Sequence, residues 1–298
     1  MQISDNMRGA LYMNIAMAAF TINDSCMKAV TQVLPLFEAI SLRGLATLVM
    51  LAVIVALMGG LRLIPGGRDG RIVVIRSLAE VGATILFLAA LVHMPLANLS
   101  AIMQSLPLAV TLVGALVFGD RVGWRRMAAI VVGFVGVLII IRPGTGGFDI
   151  WSVMGLASVA CVVVRDLVTR RLSAGVPSVT VAIWSAVWVT VMGLAGTAFT
   201  GWDPVALREA LLLGGAAVAV IVGYLFVVMT MRVGDIGFVA PFRYMALLWA
   251  ILLGWLSFGT LPDHWTVLGA CIVVGSGLYT MFRERRLRAG ADFAENGR

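Results

Sequence analysis

The sequence has little charge and few residues of the kinds that bind metals or form disulfides. Only 12% of its 298 residues are charged, and only 2 are histidine, whereas a soluble globular domain is about 25% charged. Its three cysteines, Cys26, Cys161 and Cys271, lie in apolar stretches without a CxxC or Cys/His cluster. The cysteine pattern suggests neither a disulfide framework nor a metal site. The low charge rules out an ordinary cytosolic enzyme.

Catalytic and nucleotide-binding motifs are also missing. The chain contains no HExxH or GxSxG motif, and the glycine-rich turn at 144–147 lacks the lysine of a phosphate-binding loop. No stretch resembles the selectivity filter of a channel. We therefore expect no catalytic residue and no cofactor, and we keep a channel and an intramembrane enzyme only as alternatives from other classes.

Apolar residues make up 61% of the chain, and the mean hydropathy is +1.02, which is typical of a polytopic membrane protein. A spanning helix needs about 20 apolar residues. The pattern predicts ten spans, at 8–28, 36–58, 71–92, 95–118, 124–141, 150–172, 178–200, 208–231, 235–258 and 263–282.

The net charge of +7 is explained by basic loops on one side of the membrane, so no nucleic-acid partner is expected. With ten spans, most of the 22 Lys and Arg residues fall on the side that holds both termini. Only Lys28, Arg142 and Arg208 fall on the other side. This bias predicts that both termini are cytoplasmic. Tryptophans near the span ends are interpreted as interfacial belt residues; they are Trp124, Trp151, Trp202, Trp255 and Trp265.

The two halves of the chain repeat. Asp24, Lys28 and Pro35 recur with the same spacing as Asp166, Arg170 and Pro177, and further matches follow in the same order: Phe118-Gly119 with Phe258-Gly259, Trp124 with Trp265, and Gly136 with Gly277. Each repeat holds five helices, and an odd number makes the second repeat enter the membrane from the opposite side. We predict an all-α integral membrane protein with repeats of inverted topology at 1–143 and 144–284, and a basic cytoplasmic tail at 285–298. Inverted repeats are common in secondary transporters, whose substrate site lies near the midplane.

A family resemblance rests on short motifs spread over about 8–284. They are Ser105-Leu106-Pro107 leading to Phe118-Gly119-Asp120-Arg121, and Ala240-Pro241-Phe242-Arg243-Tyr244 leading to Phe258-Gly259. On these motifs the chain resembles the EamA-type members of the drug/metabolite transporter superfamily. The family usually has Glu after that glycine, where this sequence has Asp120 and Thr260. The resemblance implies a bacterial inner-membrane carrier without ATP hydrolysis. It also implies a cavity built mainly from the third, fourth, eighth and ninth helices, with help from the first and sixth.

Two charge pairs are spaced i,i+4 and therefore lie on one helix face each. Asp24 and Lys28 are near one end of the first helix, and Asp166 and Arg170 are near the opposite end of the sixth. We interpret them as gates that form or break ion pairs in alternation. The alternative is static anchoring, with the cations reaching toward the membrane surface.

A third pair, Arg76 and Glu80, lies on the third helix. Ionisable residues inside a span are functional candidates by default. Glu80 is predicted to face a substrate ammonium or to carry a coupling proton, and Arg76 to face a carboxylate. The alternative is a self-satisfied pair.

Further substrate-binding candidates lie near prolines inside spans. Gln104 precedes Pro107, and Tyr244 follows Pro241, so both lie where a proline frees a backbone carbonyl. Tyr224 is a third candidate, and Arg243 is either an anion clamp or an interhelical tether. Arg43 is interpreted as structural, paired with Glu38 or Asp24, and Arg165 is left open between a structural and a functional role.

The prediction is a secondary transporter that moves small amphipathic metabolites by alternating access, with amino acid export favoured by the family resemblance. Uptake of S-adenosylmethionine is the alternative substrate and direction. The expected partners are a small-molecule substrate and the lipid bilayer. Ala129 and Gly133 form a small-residue face, which we interpret as intramolecular packing in a monomer.

Overall fold

The computed structural model describes residues 4–57, 66–119, 123–142, 149–173, 175–233 and 235–296. These residues form helices joined by short connections, and no strand occurs among them. The helices are α1 (Asp5–Val30), α2 (Leu36–Leu57), α3 (Arg68–His93), α4 (Leu96–Met103), α5 (Leu106–Phe118), α6 (Trp124–Ile141), α7 (Ile150–Thr169), α8 (Ser178–Thr200), α9 (Leu207–Val233), α10 (Ile236–Val239), α11 (Met245–Phe258) and α12 (His264–Asn296), with a 3₁₀ segment, Ala240–Tyr244, between α10 and α11.

Within the described ranges, nine stretches of helix are long and apolar enough to cross a membrane. α1 has 26 residues, which is also sufficient length, but it carries Arg8, Asp24 and Lys28 among its apolar residues. The predicted all-α membrane fold is therefore confirmed. The segment predicted as a basic tail at 285–298 continues α12 as far as Asn296.

Two predicted spans are interrupted near a proline. The fourth breaks at Gln104-Ser105, just before Pro107, and the ninth passes through the 3₁₀ segment that contains Pro241. A proline within a helix removes one backbone hydrogen bond and clashes with the preceding turn. At the first break, the amide and the hydroxyl of Ser105 both donate to the carbonyl of Ile102, at 3.0 and 2.7 Å, so that carbonyl is satisfied inside the apolar segment.

The chain divides into two compact units. The first unit comprises Met1–Ala18, Ala97–Asp149 and Gly223–Arg298, and the second comprises Ala19–Leu96 and Ile150–Val222. Each unit therefore combines segments from both predicted repeats. The repeat boundaries remain a sequence prediction.

In the second unit, α2 packs on α8 in the antiparallel direction. Phe37 lies against Gly196, and Gly44 further along α2 lies against Thr190 earlier in α8. The Ser41 and Thr197 hydroxyls are 3.2 Å apart beside the first contact. The close approach of the two helices therefore depends on Gly44 of α2 and Gly196 of α8.

The pairs α3–α7 and α6–α12 are antiparallel in the same sense. Ser158 of α7 donates to the carbonyl of Ala83 in α3 at 3.0 Å. In the first unit, Gly133 of α6 faces Ser276 of α12. α2 and α8 are counterparts in the two predicted repeats, and so are α6 and α12. Their opposite directions are those expected for repeats of inverted topology.

Candidate functional site

Four charged residues of the second unit form a chain of alternating sign on α3 and α7, which we call the charge chain. Arg76 Nη2 lies 3.9 Å from Glu80 Oε2 within α3. Arg165 Nη1 on α7 donates to both carboxylate oxygens of Glu80, at 3.3 and 3.2 Å. Arg165 also binds Asp166 Oδ1 at 2.9 Å. The chain thus runs Arg76, Glu80, Arg165, Asp166, with no net charge.

The charge chain is mostly withdrawn from solvent. Side-chain exposure is 13% for Arg76, 15% for Glu80, 22% for Arg165 and 32% for Asp166. Burying a charge is costly unless it is paired and hydrogen-bonded. Because the signs alternate, each charge has a neighbour of opposite sign. This pairing offsets the free-energy cost of burying four charges in helices of spanning length.

Arg76 has further partners that hold its guanidinium in place. Its Nε donates to Thr169 Oγ1 of α7 at 3.1 Å, and its Nη1 donates to Ser185 Oγ of α8. Ser185 also lies 3.5 Å from the hydroxyl of Ser77. Three helices therefore converge on this cation. Its 3.9 Å contact with Glu80 is the longest ion-pair contact in the charge chain.

The two members of the predicted gate on the sixth span, Asp166 and Arg170, do not form an ion pair with each other among the described contacts; Asp166 binds Arg165 instead. Asp166 is held by Arg165, its neighbour in sequence, while Arg170 lies in an exposed turn after α7 ends at Thr169. The structure therefore joins one predicted gating residue to the two predicted binding residues through Arg165. The gating role of Asp166 and Arg170 stays a prediction.

The members of the other predicted gate also bind separate groups. Lys28 is buried, and its Nζ donates to the carbonyls of Leu91 and Met94 at 2.6 and 2.7 Å. These carbonyls lie at the carboxyl end of α3, where backbone acceptors lack helical partners. Asp24 instead accepts a hydrogen bond from the Asn23 side chain at 2.9 Å. Lys28 thus caps α3 in this structure, and its predicted gating role remains untested.

Arg43 reaches Asp24 through an amide. Its Nη1 donates to Asn23 Oδ1 at 3.3 Å, and Asn23 donates in turn to Asp24. Glu38, the other carboxylate considered for Arg43, is fully buried and accepts from the Asp203 amide at 3.0 Å. Asn23 therefore bridges Arg43 and Asp24, and a prediction that pairs only charged residues does not include such an amide.

The remaining predicted binding residues lie in the first unit. Gln104 and Tyr244 are buried, at 7% exposure each. The Tyr244 phenol lies against Gly277 of α12, and its hydroxyl finds no hydrogen-bond partner among the described residues.

The other two candidates, Arg243 and Tyr224, are exposed. Adjacent Arg243 and Tyr244 therefore differ in exposure, as expected for neighbours on a helical turn. The contacts of Asp120, the family position at the start of the next loop, lie outside the described residues.

Sequence reasoning overlooked two contacts that α1 makes in the first unit, one polar and one aromatic. Trp249 Nε1 on α11 donates to Asn14 Oδ1 on α1 at 3.0 Å. Two residues earlier in α1, and therefore on another face of that helix, the Tyr12 ring packs edge-on against Phe226 of α9, with centroids 5.6 Å apart. An asparagine inside an apolar helix was the available signal, since it needs a partner there.

Comparisons with known proteins agree with this fold. The model of the EamA-like transporter family matches residues 7–142, just under half of the chain. A solved crystal structure of a protein, 20% identical, aligns with a TM-score of 0.65 over 94% of this chain and 98% of that chain. The structural match shows the shared fold alone.

Curated relatives are transporters. A riboflavin transporter of Rhizobium johnstonii is 29% identical over 70% of this chain and 69% of its own length. An S-adenosylmethionine uptake transporter of Rickettsia prowazekii is 23% identical over 64% of this chain, which covers 65% of that protein. A pseudopaline exporter of Pseudomonas aeruginosa is 24% identical over 89% of this chain and 93% of that protein.

The chain is therefore similar to EamA-like transporters over 7–142 and to named carriers over most of its length. The relatives support a multi-pass membrane transporter of small metabolites, and their names are those of carriers and not of enzymes. The predicted subgroup of amino acid exporters is finer than these names, since none of the three relatives is called an amino acid exporter.

Proposed function

We propose that this chain is a secondary carrier of the bacterial cytoplasmic membrane that exports amino acids or closely related zwitterions by alternating access. The observation that carries the proposal is the charge chain. It presents both signs of charge within a few ångströms, on helices of spanning length, which matches the ammonium and carboxylate of a zwitterion.

The contact between Arg76 and Glu80 is the one that a bound substrate would most easily replace. Arg76 and Glu80 are 3.9 Å apart, which is beyond ordinary hydrogen-bond distance. A substrate carboxylate would take the guanidinium of Arg76, which Thr169 and Ser185 already orient. The substrate ammonium would take Glu80. Arg165 would stay with Asp166, so no charge is left unpaired at any step.

Counterflow tests this proposal. The purified chain is reconstituted into proteoliposomes preloaded with one unlabelled solute, and the entry of labelled neutral amino acids, S-adenosylmethionine and riboflavin is measured in parallel. We expect saturable counterflow of an amino acid that is lost in Glu80→Gln and strongly reduced in Arg76→Gln. Asp5→Asn is the matched control, because that carboxylate is exposed.

The results separate the proposal from a purely structural role. Glu80→Gln protein that remains folded at the assay temperature but exchanges no amino acid supports a binding role. If the variant exchanges normally, the charge chain is a tether between α3 and α7, and the proposed substrate contacts are wrong. Linear, non-saturable flux would indicate a channel, and chemical conversion of the solute would indicate an enzyme.

Uptake of S-adenosylmethionine is the second candidate, on the similarity to the Rickettsia prowazekii transporter. Its amino acid moiety would use the same contacts at Arg76 and Glu80, and its sulfonium cation would favour a carboxylate such as Glu80 or Asp24. Counterflow of S-adenosylmethionine without that of any amino acid would select this candidate.

A neutral aromatic substrate is the third candidate. The similarity to the Rhizobium johnstonii riboflavin transporter and the aromatic pair of Tyr12 and Phe226 favour it, since aromatic rings stack on planar ligands. Counterflow of riboflavin that is lost in Tyr12→Ala and retained in Glu80→Gln would select it.

The orientation is part of the proposal. The excess of arginine on one side of the predicted spans supports cytoplasmic termini. Reporter fusions at each end test it: a reporter that is active only in the cytoplasm should be active at both ends, and activity at one end only would overturn the ten-span topology.

A further inference from the structure

A cavity of about 470 Å³ opens between α6 and α12 in the first unit. We call it the α6–α12 groove. The two helices touch closely where Gly136 meets Gly269. Toward the first residue of α6 they carry larger side chains, Trp124 on α6 and Tyr279 on α12, and the groove lies between them.

The floor of the groove is apolar. It is formed by Ala128, Ala129 and Val132 of α6 together with Ser276 of α12. The Ser276 hydroxyl is already bonded to the carbonyls of Ile272 and Val273 in its own helix, at 2.5 and 3.1 Å. The floor therefore offers a ligand methyl- and methylene-sized contacts and no unsatisfied donor, which suits a hydrocarbon chain.

The rim at the start of α6 is cationic and aromatic. Arg125 is exposed, and its guanidinium carbon lies 5.3 Å from the ring centroid of Trp124. Tyr279 stands on the opposite wall, and none of the described residues that line the groove is acidic. Aromatic side chains of this kind lie at the headgroup level of a bilayer, and the amino end of α6 adds a partial positive charge.

We propose that the α6–α12 groove binds one anionic phospholipid. An acyl chain lies along Ala128 and Val132, the glycerol region lies between Trp124 and Tyr279, and the phosphate pairs with Arg125. This arrangement places each part of the lipid on the side chains that match it: hydrocarbon on the floor, the interfacial region on the aromatic rings, and the anion on the guanidinium.

Charge favours a lipid over a second copy of this chain. A two-fold dimer in a membrane brings the same patch of both subunits together at the same depth. In such a dimer, Arg125 of one copy would face Arg125 of the other copy, and like charges at close range repel. An anionic headgroup instead neutralises that cation.

The test uses the purified full-length chain in detergent, with dioleoyl phosphatidylglycerol and dioleoyl phosphatidylcholine as probes. Native mass spectrometry counts retained lipid, and thermal unfolding reports stabilisation. Arg125→Gln removes the proposed phosphate partner. Ala128→Phe fills the groove; Ala128 is exposed, so the larger side chain does not enter the core. Arg232→Gln, at an exposed arginine near the end of α9, is the matched control.

We expect one phosphatidylglycerol to be retained in preference to phosphatidylcholine. Retention should fall about five-fold or more in Arg125→Gln, the effect of one basic residue at a membrane surface, and it should fall in Ala128→Phe without loss of the fold. Arg232→Gln should retain lipid as the unmodified chain does. Equal retention of both lipids, equal loss in both arginine variants, or unchanged retention in Ala128→Phe would each overturn the proposal.

Discussion

Gly136 of α6 and Gly269 of α12 approach each other so closely that neither position has room for a side chain. A methyl group on Gly136 would lie 2.8 Å from the carbonyl oxygen of Gly269, and one on Gly269 would lie 2.5 Å from the carbonyl oxygen of Gly136. Backbone atoms cannot rotate away as a side chain can. This contact therefore sets how near α6 and α12 approach each other in the first unit.

Gly136→Ala and Gly269→Ala should each destabilise the protein. Overpacking of this kind typically costs about 1–3 kcal/mol, and here the obstacle is a backbone carbonyl. Thermal unfolding in detergent measures the loss. Gly275→Ala is the control on the same helix, because a methyl group there would meet nothing within 4 Å. Alanine is the better helix former by about 1 kcal/mol, so Gly275→Ala should be neutral or stabilising, and equal destabilisation by all three variants would contradict the explanation.

Lys28→Met should destabilise the carboxyl end of α3. The substitution keeps an apolar chain of similar length but removes the donor to the carbonyls of Leu91 and Met94. A buried acceptor that loses its partner costs about 1–3 kcal/mol. Hydrogen exchange of the last turn of α3 should rise in the variant, while exchange in α6 should not change.

Lys28 is also the only lysine in the sequence, so an amine-reactive reagent, with the labelled peptide identified by mass spectrometry to separate Lys28 from the α-amino group, reports on its exposure. If Lys28 only caps α3, it should stay protected both with and without transported solute. Labelling that appears when solute is added would instead favour the gating role predicted from its spacing with Asp24.

Asp263 links α12 to α6 and should make the stability of the fold depend slightly on pH in the acidic range. Desolvation alone would raise the pKa of Asp263, but the bonds from Arg142 and Thr266 outweigh it and lower the pKa to about 2. A carboxyl whose pKa is lower in the folded state stabilises the fold above its ordinary value of 3.8, and this contribution is lost as the pH falls toward 2.

The size of this effect is limited, because the Asp263 side chain is 43% exposed and exposed pairs contribute at most about 1 kcal/mol. Asp263→Asn keeps an acceptor for the Thr266 amide at the start of α12 but cannot titrate. Its melting temperature should therefore fall less than that of the unmodified chain between about pH 5 and about pH 3. Parallel curves for the two proteins would contradict the assignment.

The fold was predictable from the sequence because each spanning helix is encoded locally, in about 20 apolar residues bounded by Gly and Pro. The interruptions at Gln104-Ser105 and Ala240–Tyr244 were only partly predictable, since a proline indicates a weak point but not the exact residues that leave the helix.

The site was less predictable, because its contacts join helices that are distant in the sequence. Helical spacing related Arg76 to Glu80, but Arg165 comes to Glu80 only when α7 packs antiparallel on α3. Lys28 likewise caps a helix that ends more than 60 residues later. Spacing within one helix identifies charges that share a face, and it does not identify their partners on another helix.

Arg165 should be the least replaceable member of the charge chain, because it is bound to both carboxylates. Arg165→Gln leaves Asp166 without its partner and Glu80 with only the longer contact to Arg76, whereas Glu80→Gln leaves Arg165 still paired with Asp166. We expect the free energy of unfolding to fall more in Arg165→Gln than in Glu80→Gln.

The double variant of Glu80→Gln and Arg165→Gln tests whether the two residues act as a pair. It should lose less stability than the sum of the single variants, since the second substitution removes a charge that the first has left poorly compensated. Residues in direct contact typically show coupling energies of about 0.5–3 kcal/mol, whereas the effects of distant sites add within about 0.5 kcal/mol.

The control is Glu80→Gln combined with Arg208→Gln. The Arg208 side chain is 73% exposed, so the effects of these two substitutions on stability should be additive. Additivity in the Glu80 and Arg165 pair as well would mean that the contact between these two residues contributes nothing to stability.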